Sequence, residues 1–117
     1  MTGQQTAAQL PVHSVENLGT LMTEIEIGDA VTATAVSAAN ILRDVREYIT
    51  NTFGGKMQRY ESLIDETIDR AIDKLREKAA AKGYDGVMGL RISNPTVVEG
   101  GVEVIVYGTG YRRRRAA

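Results

Sequence analysis

Residues 60–82 read YESLIDETIDRAIDKLREKAAAK, with no Gly or Pro to interrupt them. Tyr60, Ile64, Ile68, Ala71, Ile72, Leu75 and Ala79 recur three or four apart, which lines them along one side of a helix. Acidic residues lead (Glu61, Asp65, Glu66, Asp69) and basic ones close (Lys74, Arg76, Lys78, Lys82), an order that complements the helix dipole. A lone helix cannot bury its own apolar stripe, so strands elsewhere in the chain must supply the partner surface. The expected class is α+β, an antiparallel or mixed sheet packed on one long and one shorter helix.

Upstream of this helix, FGGK at 53–56 reads as a loop, because paired glycines permit dihedrals other residues avoid. The shorter helix falls at 38–50, with Ile41, Leu42, Val45 and Ile49 as its stripe and either Ser37 or Asn40 as N-cap. TLMTEIEI at 20–27 alternates as a half-buried strand, with Leu21, Thr23, Ile25 and Ile27 on one face. Gly28-Asp29 turns or bulges it before AVTATAV at 30–36 continues. Residues 12–18 allow a short edge strand, and residues 1–11 form a flexible N-terminal segment.

Downstream, Gly83 closes the long helix as a C-cap. VMGLRI at 87–92 is a strand, 96–98 leads into the Glu99-Gly100-Gly101 turn, and 102–111 is the last strand. Val102, Val104 and Val106 occupy one face of that strand, and Ile105 and Tyr107 the other. A strand apolar on both faces wants cover on two sides, and in a short chain one cover is another subunit. The domain therefore spans 12–111, followed by a basic tail at 112–117.

One domain fits 117 residues, and no cysteine is present, which excludes disulfides, thiolate metal sites and cysteine nucleophiles. The formal net charge is −1; without Arg112, Arg113, Arg114 and Arg115 the body stands at −5. No run approaches a membrane span and the first residues lack signal-peptide character, so a cytoplasmic protein is expected. The arginine run is expected to be exposed and mobile, offering an acidic partner a simple electrostatic contact. No recognition helix or aromatic–basic interleaving accompanies it, so a nucleic-acid partner is not expected.

Catalytic chemistry finds little support. His13 is the one histidine and reads as a solvated residue near a mobile start. Ser14, Ser37, Ser62 and Ser93 have no histidine near them in sequence, and FGGK lacks the spacing of a phosphate-binding loop. Asp65, Glu66, Asp69 and Asp73 make a carboxylate cluster that a hard cation can exploit, although charged helix faces are usually only solvated. No cofactor is expected and no enzyme activity. The one catalytic route left open is a site between subunits built from Arg43, Asp44, Tyr60 and Glu61.

Several segments together resemble the YbjQ-like family of bacterial and archaeal proteins, labelled heavy-metal-binding. Residues 30–44, AVTATAVSAANILRD, resemble its Ala-Asn-Ile-x-Arg-Asp segment through Ala39, Asn40, Ile41, Arg43 and Asp44. Gly54-Gly55 matches its glycine pair, and Tyr60-Glu61 with Leu63 matches the opening of its long helix. Gly83, Asp85, Val87 and Gly89 match the segment after that helix, and Tyr107-Gly108-Thr109 the close of the last strand. The chain departs from the pattern at Ala33-Thr34, where the family has Gly-Glu, and at Ala38, where it has glycine. The resemblance implies a β-α-β-β, dodecin-like subunit assembled into a homopentameric ring or barrel, with no established activity. Metal binding would then use carboxylates gathered by symmetry, with Asp44, Asp65 and Asp69 as candidates.

Overall fold

The computed structural model describes residues 6–37, 55–93, 96–98 and 101–115. Strand β1 (Ile25–Ser37) is followed by helix α1 (Gly55–Ala81), then β2 (Gly86–Ile92), the short β3 (Thr96–Val98) and β4 (Gly101–Arg113). The sheet runs β1-β4-β2, and β3 also pairs with β4. Every one of these pairings is antiparallel. The central strand β4 pairs with β1 along its whole length, so β2 and β3 must share its other edge. This is a β-α-β-β topology with one short extra strand. The expected shorter helix lies outside the described residues.

Alternation decides which face of the sheet α1 covers. Val31, Ala33 and Ala35 of β1, with Val102, Val104 and Val106 of β4, point to one face and are buried. Against them α1 sets Leu63, Thr67, Ala71, Leu75 and Ala79, a row spaced by four. The sequence pattern placed Ile64, Ile68 and Ile72 in that stripe, yet these residues are only partly buried along its flank. Ala71, Leu75 and Ala79 lie in the row as expected, and its first half is displaced by one position because Thr67 finds a polar partner inside. Its hydroxyl donates to the Leu63 carbonyl (2.8 Å), so the Ser37 hydroxyl must donate to Thr67, and Arg70 donates to Ser37 (3.2 Å). Every member of this buried chain is satisfied, which lets threonine occupy a core position. Ser37 is therefore the last residue of β1, its side chain bonded to Thr67, and the helix it was expected to cap lies outside the described residues.

Three further expectations are corrected. Residues 20–24 are not strand: Gly19–Glu24 is a 3-10 turn, and β1 begins only at Ile25. The turn brings Leu18, Leu21 and Met22 together over Ile25, Met88 and Tyr111, whereas a strand would send the neighbours Leu21 and Met22 to opposite faces. Ile27, expected beside Ile25 in the interior, is 62% exposed. The register breaks between Ile27 and Ala30, so Gly28-Asp29 forms a bulge. Next, α1 begins at Gly55 and not at Tyr60, so Gly55 and Lys56 belong to the helix and not to a loop. The unbranched Lys56, Met57, Gln58 and Arg59 suit that role. Its end is as expected, with Gly83 at φ 83°.

Finally, β4 does not stop at Tyr111. Arg112 and Arg113 continue it opposite Glu26 and Ile25, so no mobile tail begins at residue 112. The Arg114 N–H donates to the Glu24 carbonyl (2.8 Å).

Candidate functional site

Four features hold the chemistry-bearing side chains: one pole of the sheet, its second face, the outer surface of α1 and the edge of β2. At the pole, Tyr84 follows the helix C-cap and lays its ring across Gly28 of β1 and Gly110 of β4. A Cβ on either glycine would collide with that ring. The Tyr84 hydroxyl accepts from the Asp29 N–H (2.8 Å), which satisfies a donor freed by the bulge. Arg112 covers the ring from outside, its guanidinium carbon 4.4 Å from the centroid, and donates to the Lys82 carbonyl (2.9 Å). The Asp85 carboxylate accepts from the Arg113 N–H (2.7 Å) and ties the loop after α1 to the end of β4.

On the second face, Tyr111 is buried beside Gly86, and its hydroxyl shares a hydrogen bond with Nε2 of His13 (3.1 Å). Burial raises the Tyr111 pKa above 10.0; Arg113 acts against this and Asp85 with it. His13 is thus no solvated residue of a mobile start, because its backbone belongs to an ordered edge. The Val87 N–H donates to Pro11 (3.0 Å), His13 to Val87 (2.8 Å), Leu90 to His13 (2.9 Å) and Gly89 to Val15 (2.8 Å). Residues 10–16 therefore run along β2, with a parallel bridge at Val12, and Leu10 is plugged into the core. Arg91 fastens the strap by pairing with Glu16.

Among the described residues the same second face is closed at one end and open at the other. The turn at 19–24 covers the end around Tyr111, while no described element covers the end around Thr32, Thr34, Val36, Ile105 and Tyr107. Val36 is 53% exposed there and Tyr107 48%.

The outer surface of α1 divides into rows spaced by four. Glu61, Asp65, Asp69, Asp73 and Glu77 form an exposed acidic row. Beside it, Arg70, Lys74 and Lys78 reach over to β1 and donate to the carbonyls of Val36 (3.1 Å), Thr34 (3.2 Å) and Thr32 (2.9 Å). An open groove of about 510 Å³ follows this seam, lined by Ala33, Thr34, Lys74, Glu77, Lys78 and Ala81.

Among the described residues, those singled out from sequence do not converge. Asp65 and Asp69 are exposed on α1, and Asp73 pairs with Arg76 (2.8 Å). Among the described residues no three His, Asp or Glu side chains are grouped to hold a metal ion. Asn40, Arg43, Asp44 and Gly54 lie outside the described residues, so the route joining Arg43 and Asp44 to Tyr60 and Glu61 does too. Gly55 opens α1 and Tyr60-Glu61 follow within it. Gly89 stands where the β2 register shifts, Gly108 is packed beside Val87, and Asp85 belongs to the pole. Tyr84 was not picked out from the sequence, and Arg112 only as the start of an exposed arginine run. The signal for Tyr84 was an aromatic residue directly after a helix-ending glycine, with glycines at 28 and 110 to receive it.

A family model described as "Putative heavy-metal-binding" matches residues 14–113. A UPF0145 protein of Halorubrum lacusprofundi is 33% identical over 90 residues, 77% of this chain and 86% of its own length. One from Halobacterium salinarum is 38% identical over 74 residues, 63% of this chain and 71% of its own. Among solved structures, a protein of unknown function from Pediococcus pentosaceus matches with a TM-score of 0.60. It is 23% identical, and the match covers 87% of this chain and 95% of that one, a likeness of fold.

Proposed function

We propose, from the premise that this chain belongs to the YbjQ-like family, that it works as a small, non-enzymatic, homo-oligomeric structural or scaffold protein. The observation that carries the reading is the bare half of the second sheet face. A central strand with valines on one side and Ile105 and Tyr107 on the other is built to be covered twice, and α1 supplies one cover. A second copy supplies the other. The family resemblance favours five copies in a ring, in the cytoplasm. Among the described residues no helix is long and apolar enough to cross a membrane.

Replacing Val36 and Tyr107 together by glutamate tests this. Both side chains are already exposed, so the subunit should keep its helical circular dichroism while its mass falls to that of one chain. An unchanged assembly mass would remove this face from the interface.

Metal binding is the second reading, and the acidic row favours it. Symmetry would gather copies of Asp65 or Asp69, or of Asp44, where one chain offers no cage. Soft metals suit the chain poorly, since it has no cysteine and its one imidazole is engaged with Tyr111. Isothermal titration with Mg²⁺, Ca²⁺, Zn²⁺ and Cu²⁺ decides: a saturable heat supports the reading, and its absence for all four ends it. Arg114 and Arg115 remain exposed and available to an acidic partner.

A further inference from the structure

The outer edge of β1 is an exposed ladder that no described strand pairs with. The carbonyls of Thr32, Thr34 and Val36 point away from β4, as their bonds to α1 demonstrate. A strand residue directs its N–H and C=O to the same side, so a strand added along Thr32–Val36 would have to engage these three residues. Each of their carbonyls is already taken by a cation. Lys78 serves Thr32, Lys74 serves Thr34 and Arg70 serves Val36.

The spacing explains why one helix can do this three times. Four residues of helix advance about 6 Å and two residues of strand about 6.8 Å, so successive cations meet successive outward carbonyls. Helix and strand numbering run in opposite senses, as an antiparallel pair requires. One turn before Arg70 the same row holds Glu66, which carries no donor, and β1 ends at Ser37. The other long edge is shut differently, by residues 10–16 lying along β2.

We propose that Arg70, Lys74 and Lys78 are edge guards, which keep the outer ladder of β1 closed to strand addition by a second copy of this chain. An incoming strand needs acceptors for its own N–H groups, and along Thr32–Val36 each outward carbonyl already accepts from a cation. It would also bring those N–H groups against ammonium and guanidinium groups. Glu77 in the adjoining groove leaves the three carbonyl contacts intact, and Asp73 is turned to Arg76. The proposal rests on the homo-oligomeric reading in one respect: it confines self-association to the sheet face.

The test replaces Lys74 and Lys78 together by methionine, which keeps the stems and removes the donors. The control replaces Arg114 and Arg115 by methionine, an equal loss of charge beyond the opposite end of β1 from Thr34 and Val36. The guard reading expects the Lys74→Met, Lys78→Met protein to exceed the wild-type mass several-fold on standing at micromolar concentration, with an intermolecular β-sheet infrared band. The control should hold the wild-type mass. Equal growth of both proteins, or of neither, would overturn the proposal. So would strong hydrogen-exchange protection of the Thr32, Thr34 and Val36 amides in the wild-type protein, which needs no variant to fold and would mean the edge is already paired. A wild-type monomer would defeat the homo-oligomeric reading alone, since the guard test compares variant with parent.

Discussion

Gly110→Ala should be among the costliest single-methyl additions this chain can receive. The new Cβ would stand 2.6 Å from Cε2 of Tyr84 and 2.7 Å from Cγ, and closer still to Cδ2. The ring cannot retreat, because Gly28 is against it too, Asp29 holds its hydroxyl and Arg112 covers its outer side. Overpacking of a filled site costs about 1–3 kcal/mol. Displacing the ring adds about 1 kcal/mol for the hydrogen bond to Asp29 and about 0.5 kcal/mol for the exposed cation–π contact. The total is about 2.5–4.5 kcal/mol, which at this chain length lowers Tm by roughly 10–18 °C. Urea unfolding at one fixed protein concentration, followed by circular dichroism, measures it. A double-mutant cycle identifies the cause: combined with Tyr84→Leu, the alanine should cost at least about 1 kcal/mol less than it does alone. A cost below about 0.5 kcal/mol, or simple additivity with Tyr84→Leu, would refute the packing argument.

Three more outcomes are expected. Thr67→Val leaves the buried Ser37 hydroxyl with a proton and no acceptor, so it should cost about 1–3 kcal/mol in urea unfolding, whereas adding Ser37→Ala should recover part of that loss. Tyr111 has a folded-state pKa above its unfolded value of 10.0, so the unfolded chain ionises first; stability should fall as pH rises past 10, and the Tyr111→Phe chain should lose less across that window. Deleting residues 112–117 should lower Tm clearly, because it strips β4 of the Arg112 stack on Tyr84 and of the Arg113 and Arg114 backbone bonds; an unchanged Tm would return those residues to the status of a tail.

What could be read from the sequence depended on whether a residue's neighbours lay nearby in the chain. The long helix, the C-cap at Gly83 and the last strand are local signals, and each is present in the fold, although the helix starts earlier at Gly55 and the strand runs on to Arg113. The first half of the α1 row was misplaced by one position, while Ala71, Leu75 and Ala79 stand as expected, because Thr67 looks like a surface residue until Ser37, thirty positions earlier, supplies its partner. Residues 20–24 alternate in hydropathy like a strand, yet Leu21 and Met22 must cover one face together, a demand made by Met88 and Tyr111 far along the chain. Arg112 looks like the start of a solvated run, and only the position of Tyr84 makes it part of the sheet end. His13 misled in the same way, since its partner is ninety-eight positions distant. The candidate metal ligands Asp65 and Asp69 were legible as a spaced row, but spacing alone does not bring a third ligand.

The central claim is that this subunit covers its bare sheet face with copies of itself. Size-exclusion chromatography with light scattering on the full chain at micromolar concentration tests it most directly. The expected mass is about five times the 12.7 kDa of one chain and should not change on moderate dilution. A mass of 12.7 kDa, held across the concentration range, would contradict it.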